Sequence, residues 1–491
     1  MTPFRKKIIL AVACLANFMV VLDVAIVNVA LPTIKHTFNL SQGTLQWIVI
    51  AYSLLLGGFL LLGGRLGDLM GKRRVLIAGL VIFSAASLVA GLTHSISLLI
   101  TARGIQGFGA ALVAPAALSI VAHTFTEARE RNSALGIYGA IGGTSASVGV
   151  IASGLLTDGP GWRWVFFINI PIGIALIALA SIFLPKDEPV KTARRFDALG
   201  ASTVTAALLL FVYAINKGAD YGWGSVKTLG LFGVSALLVS FFAWIESRSQ
   251  SPILPGSVLK NRDMVAADVG SFLVFGAIFS FIFLGTLFMQ QAFGYSPTKT
   301  GVAWLATTLT FFISAGVTGA KLVTQFGVKR LLLTGMTLLG LAMLWLMRAP
   351  LGAGYTIDLM PAFIIAGLAG GFMAPALQVA ALARAKNDEL GLASGLVAMM
   401  QEIGGAVAIA TVSAILVAKM HGISHIASSV ARQTTMLNAF HTGFMVIAVI
   451  AAVGVVTVSV AFSKNVEEDV DGMDPMSREE AAAIAIGEAE V

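Results

Sequence analysis

The chain has 491 residues, 57% of them hydrophobic and 12% charged, and its mean hydropathy is +0.89. Soluble domains carry about a quarter charged residues, so a water-soluble globule is excluded. The formal charge of +7 does not indicate nucleic-acid binding, because the basic residues form short clusters between apolar runs, without a basic stripe or interleaved aromatics.

In chain order, Arg5, Lys6 and Lys7 precede an apolar run from Ile8 to Leu31. That run exceeds the roughly 7–15 residues of a secretory h-region and contains Asp23, so it reads as a retained first span. It also holds Cys14, and this single cysteine excludes an intrachain disulfide and any site built on several thiolates. Further runs begin near Thr44, Val75, Ile96, Ser133, Trp164, Ala198, Val226, Met264, Gly301, Leu331, Ile357, Leu392 and Phe440. With the first they make about fourteen, each near the 20 residues that cross a bilayer core. Lysine and arginine concentrate on the side of Arg5, at Arg65, Lys72, Arg73, Arg74, Arg194, Arg195, Lys329 and Arg330. The positive-inside rule then predicts cytoplasmic termini. After Lys464 the chain turns acidic through Glu467, Glu468, Asp469, Asp471 and Asp474, which reads as a solvated tail.

Two regions echo each other. Gly107 to Ala116 ends in Ala114-Pro115-Ala116, and Gly367 to Ala376 ends in Ala374-Pro375-Ala376; likewise Gly71-Lys72-Arg73 is echoed by Gly327-Val328-Lys329-Arg330. An even number of spans in each copy predicts a parallel repeat about an axis along the membrane normal. The expected organisation is a six-helix bundle over 1–185 and a linker with two extra, peripheral spans over 186–262. A second six-helix bundle over 263–463 and a cytoplasmic acidic tail over 464–491 complete it.

The segment Gly64-Arg65-Leu66-Gly67-Asp68-Leu69-Met70-Gly71-Lys72-Arg73-Arg74 is not a P-loop, since Leu66 stands at its first glycine position and Arg73 follows the lysine. It resembles the signature loop of the major facilitator superfamily, and nearly the whole chain is similar to the fourteen-span drug:proton antiporter branch of that family. Leu22-Asp23 through Ile26-Val27-Asn28-Val29-Ala30-Leu31-Pro32 resembles the first-span motif of the branch. Arg103-Gly104-Ile105-Gln106-Gly107 resembles its fourth-span motif, and Trp162 to Pro171 its entry to span six. Two departures matter. The span-five antiporter motif usually ends Gly-Pro-x-x-Gly-Gly, but the chain reads Gly149-Val150-Ile151-Ala152-Ser153-Gly154, which leaves antiport against symport open. In the second half Thr324 replaces the signature aspartate.

The resemblance implies an all-α polytopic fold of two six-helix bundles plus two inserted helices. It implies a monomeric multi-pass protein of the plasma membrane, exporting small amphiphiles by alternating access, with protons as coupling ion and no cofactor. No nucleophile or metal constellation supports an enzyme, and the histidines His36, His94, His123, His421, His425 and His441 are expected in loops or at span ends. An exporter of endogenous or anionic amphiphiles such as lipids, siderophores or antibiotics is the first alternative, and a proton-linked importer or uniporter the second.

Individual residues sharpen this. Asp23 and Arg103 are expected at nearly the same depth, about 10–12 Å from the outer ends of their spans, and an unpaired arginine there would be costly. The two are therefore expected to pair in at least one state, with protonation of Asp23 releasing the arginine; the family resemblance implicates the span-four arginine in proton transfer. Glu402, mid-span beside Gln401, is a candidate second proton site or cation contact, and Asp268 a third, near a span end from which it could snorkel. Three intramembrane acids against one arginine favour lipophilic cations as substrates. Gly64, Arg65, Asp68, Gly71, Lys72, Arg73 and Arg74 are assigned to gating. Asn28, Gln106, Trp304, Met399 and Gln401 are assigned to the substrate cavity, with no metal site.

Overall fold

The computed structural model describes residues 3–125, 128–186, 198–249, 262–318, 322–382, 390–420 and 428–462. Among these residues the chain forms fourteen long helices. They are α1 Pro3–Phe38, α2 Trp47–Met70, α3 Lys72–Leu92, α4 Ile96–Thr124, α5 Ala128–Asp158, α6 Asn169–Phe183, α7 Ala198–Tyr221 and α8 Val226–Arg248. The series continues with α9 Arg262–Leu287, α10 Pro297–Val317, α11 Val328–Leu346, α12 Met360–Leu382, α13 Leu390–Met420 and α14 Ser429–Ala461. An all-helical chain follows from the solvent, since in hydrocarbon every backbone N–H and C=O must be satisfied within its own segment.

Twelve of these helices are long and apolar enough to cross a membrane. In α5 and α7 the described apolar stretches are shorter, Ser147–Asp158 and Ser202–Gly218. The expectation of fourteen spans therefore becomes an all-helical, multi-pass fold with twelve candidate spans among the described residues. The acidic tail expected over 464–491 lies outside the described residues, as do His421 and His425.

The repeat is visible in the packing. In the first half α2 packs on α4, α3 on α4 and α1 on α5; in the second, α10 packs on α12, α11 on α12 and α9 on α13. Glycines permit close approaches at matching places. A Cβ on Gly107 would stand 2.2 Å from the Tyr52 carbonyl oxygen, and one on Gly367 would stand 2.4 Å from that of Thr307. Pro115 and Pro375 lie inside α4 and α12. Across the halves, α5 meets α10 and α2 meets α13, while α7 lies against both α2 and α13 with α8 packed on its other side. The first inserted helix thus covers the α2–α13 seam, so only α8 fits the peripheral placement expected for both.

At the signature loop no linker separates α2 from α3. Gly71 alone turns the chain, with φ 101° and its N–H bonded to the Gly67 carbonyl at 3.1 Å. Gly327 repeats the turn before α11 with φ 75°. A side chain at such a φ costs about 1–2 kcal/mol, so Gly71→Ala is expected to lower the melting temperature in detergent by several degrees. Gly230→Ala, in open space on α8, is the control and should leave it unchanged or raised; equal effects of the two would contradict the assignment.

Three hydrogen bonds among the described residues join the halves at the end where α1 terminates. Lys35 donates to Gln291 (3.3 Å), Gln290 donates to the Val29 carbonyl (2.9 Å), and the Thr298 N–H donates to Asp158 (2.9 Å). Both glutamines ride on a π-helical turn, Phe288–Ala292, at the end of α9. The halves are closed on each other there.

Candidate functional site: a buried ion pair beside an aromatic cavity

Asp23 lies on the face of α1 that packs against α4, wholly buried. Arg103, about two turns from the start of α4, is 1% exposed and forms a salt bridge to Asp23 Oδ2. The opposite carboxylate oxygen accepts from Gln106 Nε2 (3.1 Å) and from Asn169 Nδ2 (2.8 Å) at the start of α6. Arg103 also donates through Nε to the Ile48 carbonyl (3.1 Å) and through Nη1 to Gln106 Oε1 (3.0 Å). Gln106 donates to Ser87 (2.7 Å), which donates in turn to the Phe83 carbonyl (2.8 Å). The guanidinium carbon stands 4.3 Å from the Tyr52 ring centroid, a cation–π contact strengthened by burial. Two opposite charges thus sit in a low-dielectric interior with their remaining hydrogen-bonding capacity largely met, which is the condition under which a buried pair persists.

Glu402, on α13 at the seam with α2, is 3% exposed. Neither carboxylate oxygen has a partner at hydrogen-bond geometry, although Ser53 of α2 stands beside it. The close approach depends on Gly57, where a Cβ would lie 2.8 Å from Glu402 Cβ. Asp268 is half-buried in the second turn of α9.

Between the halves lies a cavity of about 140 Å³. α1 contributes Val24 and Asn28, α9 contributes Phe275, Phe279 and Phe281, and α10 contributes Trp304, Thr307, Thr308 and Phe311. Its polar groups are mostly turned to the protein. Asn28 Nδ2 donates to the Val24 carbonyl (2.9 Å), Trp304 Nε1 to Thr286 (3.0 Å), and Thr307 to the Phe363 carbonyl (3.1 Å). Trp304 is held flat against Phe363, with centroids 4.8 Å apart and an interplanar angle of 17°. Such a wall presents π faces and few directional demands, so it accepts apolar and aromatic groups of varied shape. The cavity and the ion pair share α1 but occupy different faces of it.

Of the residues assigned to the cavity from sequence, Asn28 and Trp304 line it. Gln106 does not: its carboxamide is committed to Asp23, Arg103 and Ser87. Met399 and Gln401 are buried on α13 near the α2 seam, the Met399 carbonyl lying 3.3 Å from where a Gly57 Cβ would stand. In the gating segment Gly64 and Arg65 lie in the last two turns of α2 and Gly71 makes the turn, while the Asp68 side chain lies outside the described residues. Lys72 reaches the His123 ring (2.7 Å) and Arg73 the Ser181 carbonyl (2.5 Å), contacts within the first half. His441, expected at a span end, sits well inside α14 with its ring 6.3 Å from that of Phe288. Among the described residues no group of three or more His, Cys, Asp or Glu could hold a metal ion.

Asn169, Ser87 and Tyr52 belong to the ion-pair site but carry no sequence signal of their own. Asn169 is 146 positions from Asp23, and only its place in the Trp162–Pro171 motif could have drawn notice.

The sequence profile of the Major Facilitator Superfamily matches residues 13–259 and 267–480. The chain belongs to this superfamily. It is 36% identical over 413 residues to the puromycin resistance protein pur8 of Streptomyces alboniger, covering 83% of this chain and 81% of that protein. It is 33% identical over 407 residues to the multidrug resistance protein Stp of Mycobacterium tuberculosis, covering 82% and 74%. Its fold is similar to that of a bacterial homologue of the human lysosomal transporter Spinster, in an inward-facing and occupied conformation, with a TM-score of 0.68 at 15% identity over 94% of this chain and 97% of that one. These relationships make the chain a multi-pass membrane transporter, not an enzyme, and they are consistent with the drug:proton antiporter branch of the superfamily.

Proposed function

We propose that the chain exports amphiphilic drugs, lipophilic cations among them, in exchange for protons by alternating access. The observation that carries this reading is the Asp23–Arg103 pair, buried on the helix whose other face lines the aromatic cavity. Protonation of Asp23 would remove the charge that holds Arg103 and free α1 to shift, so proton uptake and cavity shape are linked through one helix. The names of the relatives, resistance to puromycin in one case and to multiple drugs in the other, support export of foreign amphiphiles.

In this reading residues 1–185 and 263–463 are the rocking halves, joined by the linker and two helices of 186–262, in a monomer spanning the plasma membrane fourteen times with cytoplasmic termini. The end carrying Lys35, Asp158 and Gln291 is then extracellular and shut. The cavity supplies apolar and aromatic contact, while Glu402 balances a positive charge on the substrate; Asp268 takes up protons nearer the cytoplasmic end. The gating segment Gly64 to Arg74 latches the cytoplasmic side in the opposite state. One proton moving inward down about 100 mV contributes roughly 2.3 kcal/mol, before any pH difference, to concentrate substrate outside.

Expression in a bacterial strain lacking its own efflux pumps tests the reading. Cells should retain less ethidium and tolerate more puromycin than vector controls, and a protonophore should abolish both differences; protection that survives the protonophore would overturn proton coupling. Trp304 provides a further check, because its loss removes a stacking wall without touching the charged centres. Trp304→Ala is expected to raise KM for aromatic substrates by roughly 3- to 10-fold with a small effect on maximal rate, read from the concentration dependence of vesicle transport.

A further inference from the structure

The end at which the halves are closed carries a positive charge that nothing negative answers. Lys35, in the last turn of α1, donates to Gln42 Oε1 of its own half (3.0 Å) and to Gln291 Oε1 of the other (3.3 Å). Among the described residues no carboxylate stands within salt-bridge distance of it, whereas Arg103, deeper in the same half, is paired with Asp23. A helix C-terminus favours a cation, but the Lys35 ammonium is turned to the two amides and not to the terminal carbonyls.

The two amides leave donors over. An ammonium only donates, so each glutamine must turn its carbonyl oxygen to Lys35 and keep its NH2 group for another partner. Both Nε2 atoms are buried without a hydrogen-bond partner, and Gln42 as a whole is 7% exposed. Two sets of orphan N–H donors, one from each half, therefore lie within an amide's breadth of the Lys35 charge. Unmet donors and an uncompensated charge each cost free energy on burial. Gln291 is delivered by the π-helical turn Phe288–Ala292, a distortion that helices keep mainly at functional sites. Lys35 also stands about two turns beyond Asn28, on the face of α1 that lines the cavity through Val21, Val24 and Asn28.

We propose that Lys35, Gln42 and Gln291 form a binding site for a small monovalent anion of the halide class, which seals this end of the carrier. The anion accepts from the Lys35 ammonium and from both amide NH2 groups, supplies the missing negative charge, and ties Gln291 of the second half to Lys35 and Gln42 of the first. Separation of the halves takes Gln291 away and leaves the anion fewer donors. It therefore binds the closed state more tightly and shifts the population toward it. A much larger anion is excluded, because Gln290 and Gln291 already stand at hydrogen-bond distance from α1.

The test compares chloride and bromide with gluconate at equal ionic strength. In a Cys14→Ser background, a Thr308→Cys reporter in the cavity is labelled by a membrane-impermeant maleimide added to vesicles from the Lys35 side. Labelling is expected to be about tenfold slower in either halide than in gluconate, with a saturable dependence on halide concentration. Lys35→Met should label at the same fast rate in all three salts. Gln291→Glu builds the negative charge into the chain and should label slowly in all three, which keeps the test decisive if Lys35→Met does not fold. Equal labelling of the unsubstituted site in halide and gluconate would overturn the proposal. So would a full halide effect in Lys35→Met or Gln291→Glu, because the anion would then act elsewhere. None of these readings requires proton exchange, so failure of proton antiport would leave them unchanged.

Discussion

Asp23→Asn lowers proton-driven transport about 100-fold and destabilises the folded protein, whereas neutralising Asp23 and Arg103 together restores stability without restoring transport. The expectation follows from desolvation. With Asp23 neutral, the Arg103 charge remains among Gln106, the Ile48 carbonyl and the Tyr52 ring, none of which carries a counter-charge. Breaking one partner of a buried pair costs about 3–5 kcal/mol because the other is left uncompensated. Replacing both by neutral polar groups removes that cost, so Asp23→Asn/Arg103→Gln should melt closer to wild type than either single variant. Transport should stay lost in all three, since the double variant has no proton to exchange at this site. Melting curves in detergent and vesicle transport rates separate the outcomes. If the double variant were as unstable as the sum of the singles, the two residues would not be acting as a pair.

An isopropyl side chain in place of either of two glycines at the Lys35 end is also expected to impair transport, for a steric reason. A Cβ on Gly301 of α10 would lie 2.2 Å from the Val150 carbonyl oxygen of α5, and one on Gly154 would lie 2.6 Å from Thr298 Cα. Backbone cannot yield by that much without separating the helices. Gly301→Val and Gly154→Val are therefore expected to hold the halves apart at this end and to favour the state opened there. In a Cys14→Ser background, a Thr308→Cys reporter in the cavity should then react with a membrane-impermeant maleimide from the extracellular side about tenfold faster, a shift of about 1.4 kcal/mol in the opening equilibrium. Transport should fall to a tenth or less, because a carrier that cannot close cannot cycle. Unchanged labelling with normal transport would show that α5 and α10 do not come together at this end during the cycle.

Much of the fold was legible because hydrocarbon enforces one solution. Apolar runs near 20 residues must be helices, and a repeated Ala-Pro-Ala and a repeated Gly-x-x-Arg implied repeated packing before any coordinates. Helix ends were less legible. α14 begins at Ser429, well before Phe440, since Arg432, Gln433, Thr434 and Thr435 continue the helix with a polar composition that hydropathy does not register. That extension places His441 inside the helix. The depth of Asp23 and Arg103 could be counted from the ends of their runs, and the cost of an isolated arginine suggested a partner. Beyond its place in the Trp162–Pro171 motif, nothing in the sequence pointed Asn169 at Asp23, to which the packing of α6 brings it, and nothing gave the π-helical turn that carries Gln290 and Gln291 to α1. Gln106 was assigned to the cavity from the sequence, but its carboxamide is committed to Asp23, Arg103 and Ser87. Its neighbours on α4 and α1 claimed it first.

The central claim, exchange of an amphiphile for protons, is tested most directly with the purified chain in proteoliposomes holding an acidic interior and a pH-sensitive dye. Adding ethidium outside should release protons from the vesicles while ethidium enters, at a rate that depends on both gradients and is lost in Asp23→Asn. Protons that move in the same direction as ethidium, or ethidium transport that leaves the internal pH unchanged, would contradict the account.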